Sequence, residues 1–439
     1  MIADRSLAAW MIGGVMFLLS SLPALAGEPD ADGGWLADCL AAQERVAASS
    51  QTVSSVPSSQ PSSQPAEETW PPGLLMKGLD KAGLRKPLDD AGIRFWGYAE
   101  GGFTGDLTNG QRTLFGRLYD ARRPNNARLN QVDLTVDRPY DSSKPFDVGG
   151  RVDALYGGDA MLTHALGLDR MGEGNGENWF DPIQFYLQPW VKTGKDSGME
   201  FTLGKFLELA GSESAETVNN LVYSHSYIYS FAEPTTNTGA MAKYYVNSQV
   251  FGYFGVVEGW DDFKDNNDGV SYITGGGWSS KDQVGSHPKT QVLLNMVTGP
   301  EQANDSRDYR TLTDIVINYW WTEKLSESLN IDWVTEENVP NVGRANAYGP
   351  AHYLTYAFND RVSATWRTEW FRDDKGTRIG AAGNYYENTL GLNLTPWPKH
   401  DILKNLSFRP EVRWDNSDQQ VFGDSHNMMT VAFDVIFKF

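Results

Sequence analysis

Charged residues stand at every second position in several short segments of the sequence. In LSFRPEVRWD, residues 406–415, Arg409, Glu411 and Arg413 lie on one face of a strand, and mostly apolar side chains lie on the other. Ionised groups can orient dipoles and select ions, but they cannot form a dry core, because each unpaired buried charge costs several kcal/mol. This face must contact water, either around a soluble β-sandwich or inside a barrel. The same alternation assigns Arg151, Asp153, Arg361 and Arg367 to this wall.

A second group of acidic residues falls in one predicted loop, GWDDFKDNNDG at 259–269. Its carboxylates are Asp261, Asp262, Asp265 and Asp268. Carboxylate oxygens are suitable ligands for Ca²⁺, but the spacing lacks the EF-hand order and its closing glutamate. We interpret the segment as an acidic external loop, with calcium binding as the weaker alternative.

Residues suited to catalysis are few and lie far apart. The six histidines, at positions 164, 225, 287, 352, 400 and 426, include no pair at the spacing of helical metal ligands. Neither a G-x-S-x-G elbow nor a phosphate-binding loop is present. The single cysteine, Cys39, excludes an internal disulfide and a zinc site built from several cysteines. We therefore predict no catalytic residue and no cofactor.

The segments that must position the charged wall have a period of two. The chain ends in TVAFDVIFKF, in which Phe433, Phe437 and Phe439 share one face and Asp434 lies on the other. Sixteen such segments occur, at 93–103, 127–137, 146–157, 182–192, 199–206, 239–246, 249–258, 270–278, 289–297, 309–321, 326–335, 350–358, 361–371, 384–395, 404–415 and 427–439.

Two further patterns favour a membrane environment for these strands. Aromatic residues cluster near strand ends, as in the belts at bilayer interfaces; examples are Trp320 and Trp321, Trp366 and Trp370, and Trp397 and Trp414. On the predicted boundaries, long and short connections alternate almost throughout, which is typical of long external loops and short periplasmic turns. The sequence therefore predicts an all-β fold: a transmembrane, antiparallel, up-and-down β-barrel of about 16 strands.

The N-terminal region has a different composition. Residues 1–26 combine Arg5, an apolar run and a final ALA, which predicts a signal peptide. Residues 27–73 contain a Ser/Gln/Pro-rich stretch and are interpreted as a disordered periplasmic tether. A short helical segment is predicted at 74–90, and the barrel domain at 91–439. The net charge of −19 excludes nucleic acid as an expected partner.

Several stretches carry a resemblance to a known family. LDDAGIRFWGYAEGGF, RLNQVDLTVDRP, FDVGGRVDALYGGDA, LVYSHSYIYSFAEPTTNTGAMAKY and VVEGWDDF resemble the OmpL-like β-barrel porin type 2 family, over about residues 74–439. The opening is more distantly similar to carbohydrate-selective porins. The resemblance implies a pore for small hydrophilic solutes in the outer membrane of a Gram-negative-type envelope. It also implies outer-membrane lipid and the barrel assembly machinery as partners, with Phe433, Phe437 and Phe439 as the assembly signal.

A porin of this size narrows its channel with an inward-folded loop. The longest predicted connection, 207–238, carries Glu208, Glu213, Glu216 and Glu233. We expect it to form the constriction, with a transverse field between these glutamates and the arginine wall. The alternative is a mobile external loop. Within it, the aromatic residues of SYIYSF either stack on sugars or, as we prefer, form a short packed strand.

Assembly and function leave further alternatives open. A homotrimer is expected only by analogy with other porins of sixteen strands. A secreted, soluble, β-rich carbohydrate-binding protein would use the same aromatic residues. A barrel enzyme is a weaker alternative, suggested by His225 between Ser224 and Ser226.

Overall fold

The computed structural model describes residues 73–108, 110, 113–120, 123–168 and 177–439. The predicted signal peptide, 1–26, and residues 27–72 of the predicted tether lie outside these residues, and both stay predictions.

Within the described residues the chain forms a closed antiparallel barrel of sixteen strands, in which sequence neighbours pair and the last strand pairs with the first. The strands are β1 Arg94–Asp106, β2 Ala127–Arg138, β3 Phe146–Gly157, β4 Trp179–Lys192, β5 Gly198–Leu207, β6 Thr236–Tyr245, β7 Val250–Val257, β8 Ser271–Ser279, β9 Thr290–Gln302, β10 Asp305–Trp320, β11 Leu325–Val339, β12 Gly343–Asn359, β13 Val362–Asp373, β14 Gly383–Leu394, β15 Leu406–Ser417 and β16 Asn427–Lys438. Each predicted strand overlaps one of these. The soluble β-sandwich alternative is therefore wrong.

Two helices precede the barrel where one helical segment was predicted. They are α1, Leu74–Lys81, and α2, Arg85–Ala91. Gly83, with φ of 72°, separates them. Pro87 lies in the first turn of α2, where its missing N–H costs nothing, so the helix accommodates it.

Two short helices lie in the connections: α3, Ala160–Thr163, and α4, Tyr227–Ala232. The prediction of a short strand at SYIYSF is wrong, because this segment is α4. Ser226 caps it by accepting a hydrogen bond from the Tyr229 N–H at 3.1 Å. None of the helices in the described ranges is long and apolar enough to cross a membrane.

The predicted alternation of connection lengths holds in the first half of the barrel and fails in the second. The predicted connection at 298–308 is the turn 303–304, and the one at 336–349 shortens to 340–342. The extended strands carry polar cross-strand pairs: Thr298 and Thr311 on the outer face, at 2.7 Å, and Arg310 and Glu336 on the inner face, at 2.9 Å. Because both faces are polar, the apolar alternation that predicts strands is missing here.

The outer face of the barrel is apolar and the inner face is charged. Leu187 is 59% exposed and Leu390 is 58% exposed, whereas Arg413 and Asp434 are fully buried inside. Other exposed outward residues include Leu134, Val152, Leu203, Phe254, Leu294, Trp333, Val412 and Val431. An apolar exterior around a polar interior fits a barrel that crosses a lipid bilayer.

Aromatic side chains cluster at both ends of this apolar exterior. At the end where β1 begins and β16 finishes, here the terminal end, the rings of Tyr319 and Trp321 lie 4.7 Å apart. Towards the opposite end, the loop end, Trp333 stacks on Tyr348 at 4.5 Å. Trp320 does not join the terminal belt: it is buried and stacks on His287 at 4.9 Å.

The C-terminal residue is paired to the first strand. The Phe439 N–H donates to the Gly97 carbonyl at 2.8 Å, and the Gly97 N–H donates to the Phe439 carbonyl at 3.0 Å. Phe433 is 47% exposed on the outer face, and Phe437 and Phe439 lie beside each other with ring centroids 6.4 Å apart. Their role as an assembly signal stays a prediction.

Candidate functional site

The connection between β5 and β6, residues 208–235, lies inside the barrel; it is called the inner loop below. It contacts widely separated strands. The Ser212 N–H donates to Asn330 Oδ1 on β11 at 2.9 Å, and the Tyr227 hydroxyl donates to Asp415 on β15 at 2.8 Å. Tyr227 and Ile228 are fully buried. The inner loop is therefore packed within the lumen rather than solvated outside it.

Three arginines on β13 and β15 bind the carbonyl oxygens of the inner loop. Arg409 Nη1 donates to the carbonyls of Thr217 at 2.9 Å and Asn220 at 2.7 Å. Arg413 Nη1 donates to the His225 carbonyl at 2.6 Å. Arg367 donates to the Ser224 carbonyl and, at 3.0 Å, to the Ser224 hydroxyl.

Two carboxylates between these arginines bind the loop's N–H groups. Glu411 Oε2 accepts from the backbone of Tyr223 at 2.9 Å and of Ser224 at 3.0 Å. Glu369 accepts from the backbone of Tyr227 and Ile228, both at 2.7 Å. The strand period of two places all five charges on one surface. Arg367, Glu369, Arg409, Glu411 and Arg413 are together called the charged wall.

Buried carboxylates on the strands compensate the arginines of this wall. Arg367 Nε lies 2.7 Å from Glu387, Arg409 Nε lies 3.0 Å from Asp434, and Arg413 Nη2 lies 2.7 Å from Asp415. Burying a guanidinium without such partners would be strongly destabilising. Because each arginine has both a strand carboxylate and a loop carbonyl, the wall and the loop form one connected hydrogen-bond network.

The four predicted loop glutamates divide into two pairs. Glu213 lies 2.7 Å from Arg367, and Glu216 forms an ion pair with Arg151. Glu208 instead accepts from the backbone N–H groups of the next two residues, at 2.6 and 3.1 Å. Glu233 lies beside acidic residues of β10 and β11. A transverse electric field across open water was expected between the loop glutamates and the arginines. Glu213 and Glu216 instead form direct ion pairs with arginines.

The ionisation of the loop glutamates follows these contacts. Burial opposes the ionisation of Glu213, but the Arg367 guanidinium acts together with His225, the Ser226 N–H and the Tyr353 hydroxyl to hold the pKa of Glu213 below its usual value. Burial raises the pKa of Glu216 and of Glu208. Burial, together with the Asp314 carboxylate, raises the pKa of Glu233 well above its usual value.

The remaining predicted wall residues occupy two different environments. Arg151 Nε lies 2.9 Å from Asp153, and its guanidinium lies 5.0 Å from the centre of the Trp96 ring on the inner face. Arg361 is not on the wall. It is exposed in the turn at 360–361, where its N–H donates to Asn359 Oδ1 at 2.9 Å. The alternation was extended one residue beyond the start of β13.

A cavity of about 240 Å³ separates the inner loop from strands β4 to β6. Uncharged polar groups, among them Gln184, Gln188 and Thr202, form part of its surface. Its charged lining residues are Arg151, Glu200, Glu208, Glu213, Glu216 and Glu233. The cavity is therefore polar, and carboxylates outnumber basic groups in its lining.

The four aspartates of the 258–270 connection do not converge. Asp261 Oδ1 accepts from the backbone of Thr235 at 2.9 Å and Thr236 at 2.8 Å. Asp265 Oδ1 accepts from the Asn267 N–H at 2.9 Å. In the part of the chain that the structure describes, the carboxylates close enough to share a cation lie elsewhere. The prediction of a calcium site in this connection therefore gains no support from the geometry.

The His225 ring packs between two tyrosine rings, and its ring nitrogen contacts an amide and a backbone carbonyl instead of a serine hydroxyl. Tyr119, from the connection 107–126, lies 4.4 Å from the His225 ring, and Tyr229 lies 4.5 Å from it on centroids. His225 Nε2 contacts the Asn220 amide at 3.0 Å. Tyr119 was missed in the sequence, because nothing local indicates that this connection also enters the lumen.

The comparisons with known proteins agree with this architecture. A family model described as "Putative beta-barrel porin-2, OmpL-like" matches residues 92–439. The anion-selective porin from Comamonas acidovorans is 11% identical, with a TM-score of 0.51, covering 79% of this chain and 99% of that chain. OmpT of Vibrio cholerae, in its trimer form, is 10% identical, with a TM-score of 0.50 and the same coverage. OprB of Pseudomonas putida is 14% identical, with a TM-score of 0.49, covering 82% and 97%.

No curated protein matches the chain in sequence. Two solved structures with TM-scores of 0.51 and 0.50 share its fold, and the family model extends over nearly the whole barrel. The family match agrees with the apolar exterior, the charged interior and the inner loop of the barrel, and it identifies the family of the chain. The chain belongs to the OmpL-like β-barrel porin-2 family and is an outer-membrane porin.

Proposed function

We propose that this porin passes small hydrophilic solutes by diffusion and that the inner loop sets which solutes pass. The observation that carries the proposal is the position of the loop. One side of it is bound to the charged wall, and the other leaves the polar cavity of about 240 Å³ against β4 to β6. A constriction formed by a fixed loop selects solutes by size and charge.

Liposome swelling tests the proposal for neutral solutes. Vesicles containing the refolded porin should swell in solutions of small sugars and amino acids, and the rate should fall steeply as solute size increases. Vesicles without protein are the control. Equal swelling rates for small and large sugars would contradict a loop-defined constriction.

The lining of the cavity predicts a preference for cations. Five carboxylates and one arginine face this space. Burial raises the pKa of Glu208, Glu216 and Glu233, but Glu200 and Glu213 still outnumber Arg151, and a surplus of one charge sign raises the local concentration of the opposite ion. In planar bilayers under a salt gradient, we expect a reversal potential of the sign given by cation preference. Gln188→Lys adds a positive charge to the cavity and should reduce this potential. Gln420→Lys, at an exposed position of the connection 418–426, is the matched control. Equal potentials for both variants would contradict the assignment of the ion path to this cavity.

We infer a homotrimeric assembly from the fold shared with OmpT of Vibrio cholerae, whose structure is of a trimer form. Outer-membrane lipid around the aromatic belts and the barrel assembly machinery at the C-terminal strand are the other proposed partners. Light scattering of the refolded porin in detergent tests the stoichiometry, and a monomeric mass would contradict it.

A further inference from the structure

Three buried carboxylates meet where the inner loop returns to the barrel wall. Glu233 stands near the end of the loop, Asp314 lies on β10 and Asp332 lies on β11. One oxygen of each lies within 4.8 Å of the others. Exposure is 7% for Glu233, 0% for Asp314 and 1% for Asp332. The cluster therefore joins three segments that are distant in sequence.

Asparagine side chains orient these carboxylates by hydrogen bonds but carry no positive charge to balance theirs. Asn295 Nδ2 donates to Asp314 at 2.6 Å, and Asn330 Nδ2 donates to Asp314 at 2.7 Å and to Asp332 at 2.8 Å. These donors are neutral amides. Within the described residues, none of the three carboxylates forms an ion pair with a lysine, arginine or histidine. The pattern contrasts with the charged wall, where every arginine has a carboxylate partner.

Within the described residues, two oxygens of the cluster accept no hydrogen bond from an amide, a hydroxyl or a cationic side chain. They are Glu233 Oε1 and Asp332 Oδ2, and both atoms are buried. An unsatisfied buried polar group costs about 1–3 kcal/mol, and more when the group is charged. Adjacent carboxylates repel one another as well. A cation held between these oxygens would remove both penalties.

The chemistry of the ligands indicates which cation fits. The donor set consists of carboxylate oxygens, without sulfur or imidazole, and such hard ligands suit Ca²⁺ or Mg²⁺ rather than zinc or copper. Ca²⁺ accepts irregular arrangements of six to eight oxygens, whereas Mg²⁺ requires near-octahedral geometry. Glu233 also lines the polar cavity, so water can reach the site and complete the coordination. The asparagine amides hold the carboxylates in place as outer-shell groups do in metal sites.

We propose that Glu233, Asp314 and Asp332 bind one Ca²⁺ ion, which fastens the C-terminal part of the inner loop to β10 and β11. The charged wall holds residues 217–228 of the loop against β13 and β15, farther around the barrel. The two attachments together fix the loop across the barrel. Binding at this site does not depend on the proposed solute path.

Equilibrium dialysis with radioactive Ca²⁺ tests the proposal on porin refolded from inclusion bodies, which are free of calcium-binding lipopolysaccharide. We expect about one bound ion per chain, with affinity reduced at least tenfold in Glu233→Gln and in Asp332→Asn. Asp265→Asn, in the acidic 258–270 connection, is the matched control and should bind normally. Heat-dependent gel mobility verifies that each variant is folded.

Two results would overturn the assignment. The folded wild-type porin would bind no Ca²⁺ at millimolar concentration, in which case shared protons hold the carboxylates together. Alternatively, all variants would bind Ca²⁺ as the wild type does, or only Asp265→Asn would lose binding. Either outcome would place the Ca²⁺ ion outside the cluster of Glu233, Asp314 and Asp332. Because dialysis measures binding directly, failure here is distinguishable from failure of the channel proposal.

Discussion

Replacing both Glu369 and Glu411 with alanine should increase the single-channel conductance several-fold. These carboxylates accept four hydrogen bonds from the backbone of the inner loop, at residues 223, 224, 227 and 228. Hydrogen bonds to charged groups contribute about 1.5–3 kcal/mol each. Losing four of them leaves the middle of the loop held to the charged wall mainly by the arginine–carbonyl bonds, so the loop moves away from the wall more readily and obstructs the lumen less.

The choice of carboxylates keeps the barrel itself intact. The arginines of the wall retain their ion pairs with Glu387, Asp434 and Asp415 in this variant. The matched control is the double replacement of Glu323 and Glu327 with alanine, which removes the same charge near the terminal end. It should leave conductance close to the wild-type value. A folded Glu369 and Glu411 variant with unchanged conductance would show that the charged wall does not hold the constriction.

Leu390→Arg should lower the free energy of unfolding in lipid vesicles by about 2–4 kcal/mol. Leu390 is 58% exposed on the outer face of β14, between the two aromatic belts. An arginine at the middle of the bilayer pays a large desolvation penalty, whereas near the interface the cost falls to about 0–1 kcal/mol. The measurement is urea unfolding followed by tryptophan fluorescence and gel mobility.

The depth dependence provides the control for this prediction. Asn416→Arg, near the loop end of β15 and hydrogen-bonded to Asn427 at 2.9 Å, introduces the same side chain near the interface. It should leave stability within about 1 kcal/mol of the wild type. If both variants unfold at the same urea concentration as the wild type, the outer face of β14 does not contact hydrocarbon.

The parts of the fold that were predictable are those encoded by local alternation. The period of two in LSFRPEVRWD places Arg409, Glu411 and Arg413 on the inner face, and the structure has them there. The final segment likewise puts Asp434 inside and Phe433 outside. Because the inner face contacts water and the outer face contacts lipid, polar and apolar residues alternate along a strand. Each such strand can therefore be predicted from its own sequence. The parts of β9 to β12 near the loop end could not be predicted in this way, because polar pairs occupy both of their faces.

The contacts of the site could not be predicted, because they join residues that are far apart in the chain. Nothing near Arg409 indicates that its partners are the carbonyls of Thr217 and Asn220. Nothing near Glu233 indicates that it meets Asp314 and Asp332. The sequence predicted that the glutamates of the inner loop and the arginines of the barrel wall face each other across open water. The structure instead pairs some, uses others to bind the loop backbone and groups the rest into an acidic cluster.

The most direct test of the central claim is the single-channel conductance of the refolded chain from Gly27 in planar bilayers. An aqueous passage beside the inner loop predicts discrete, stepwise current increases, with a reversal potential that favours cations. Folded barrels that insert into the bilayer and leave it electrically sealed would contradict the account.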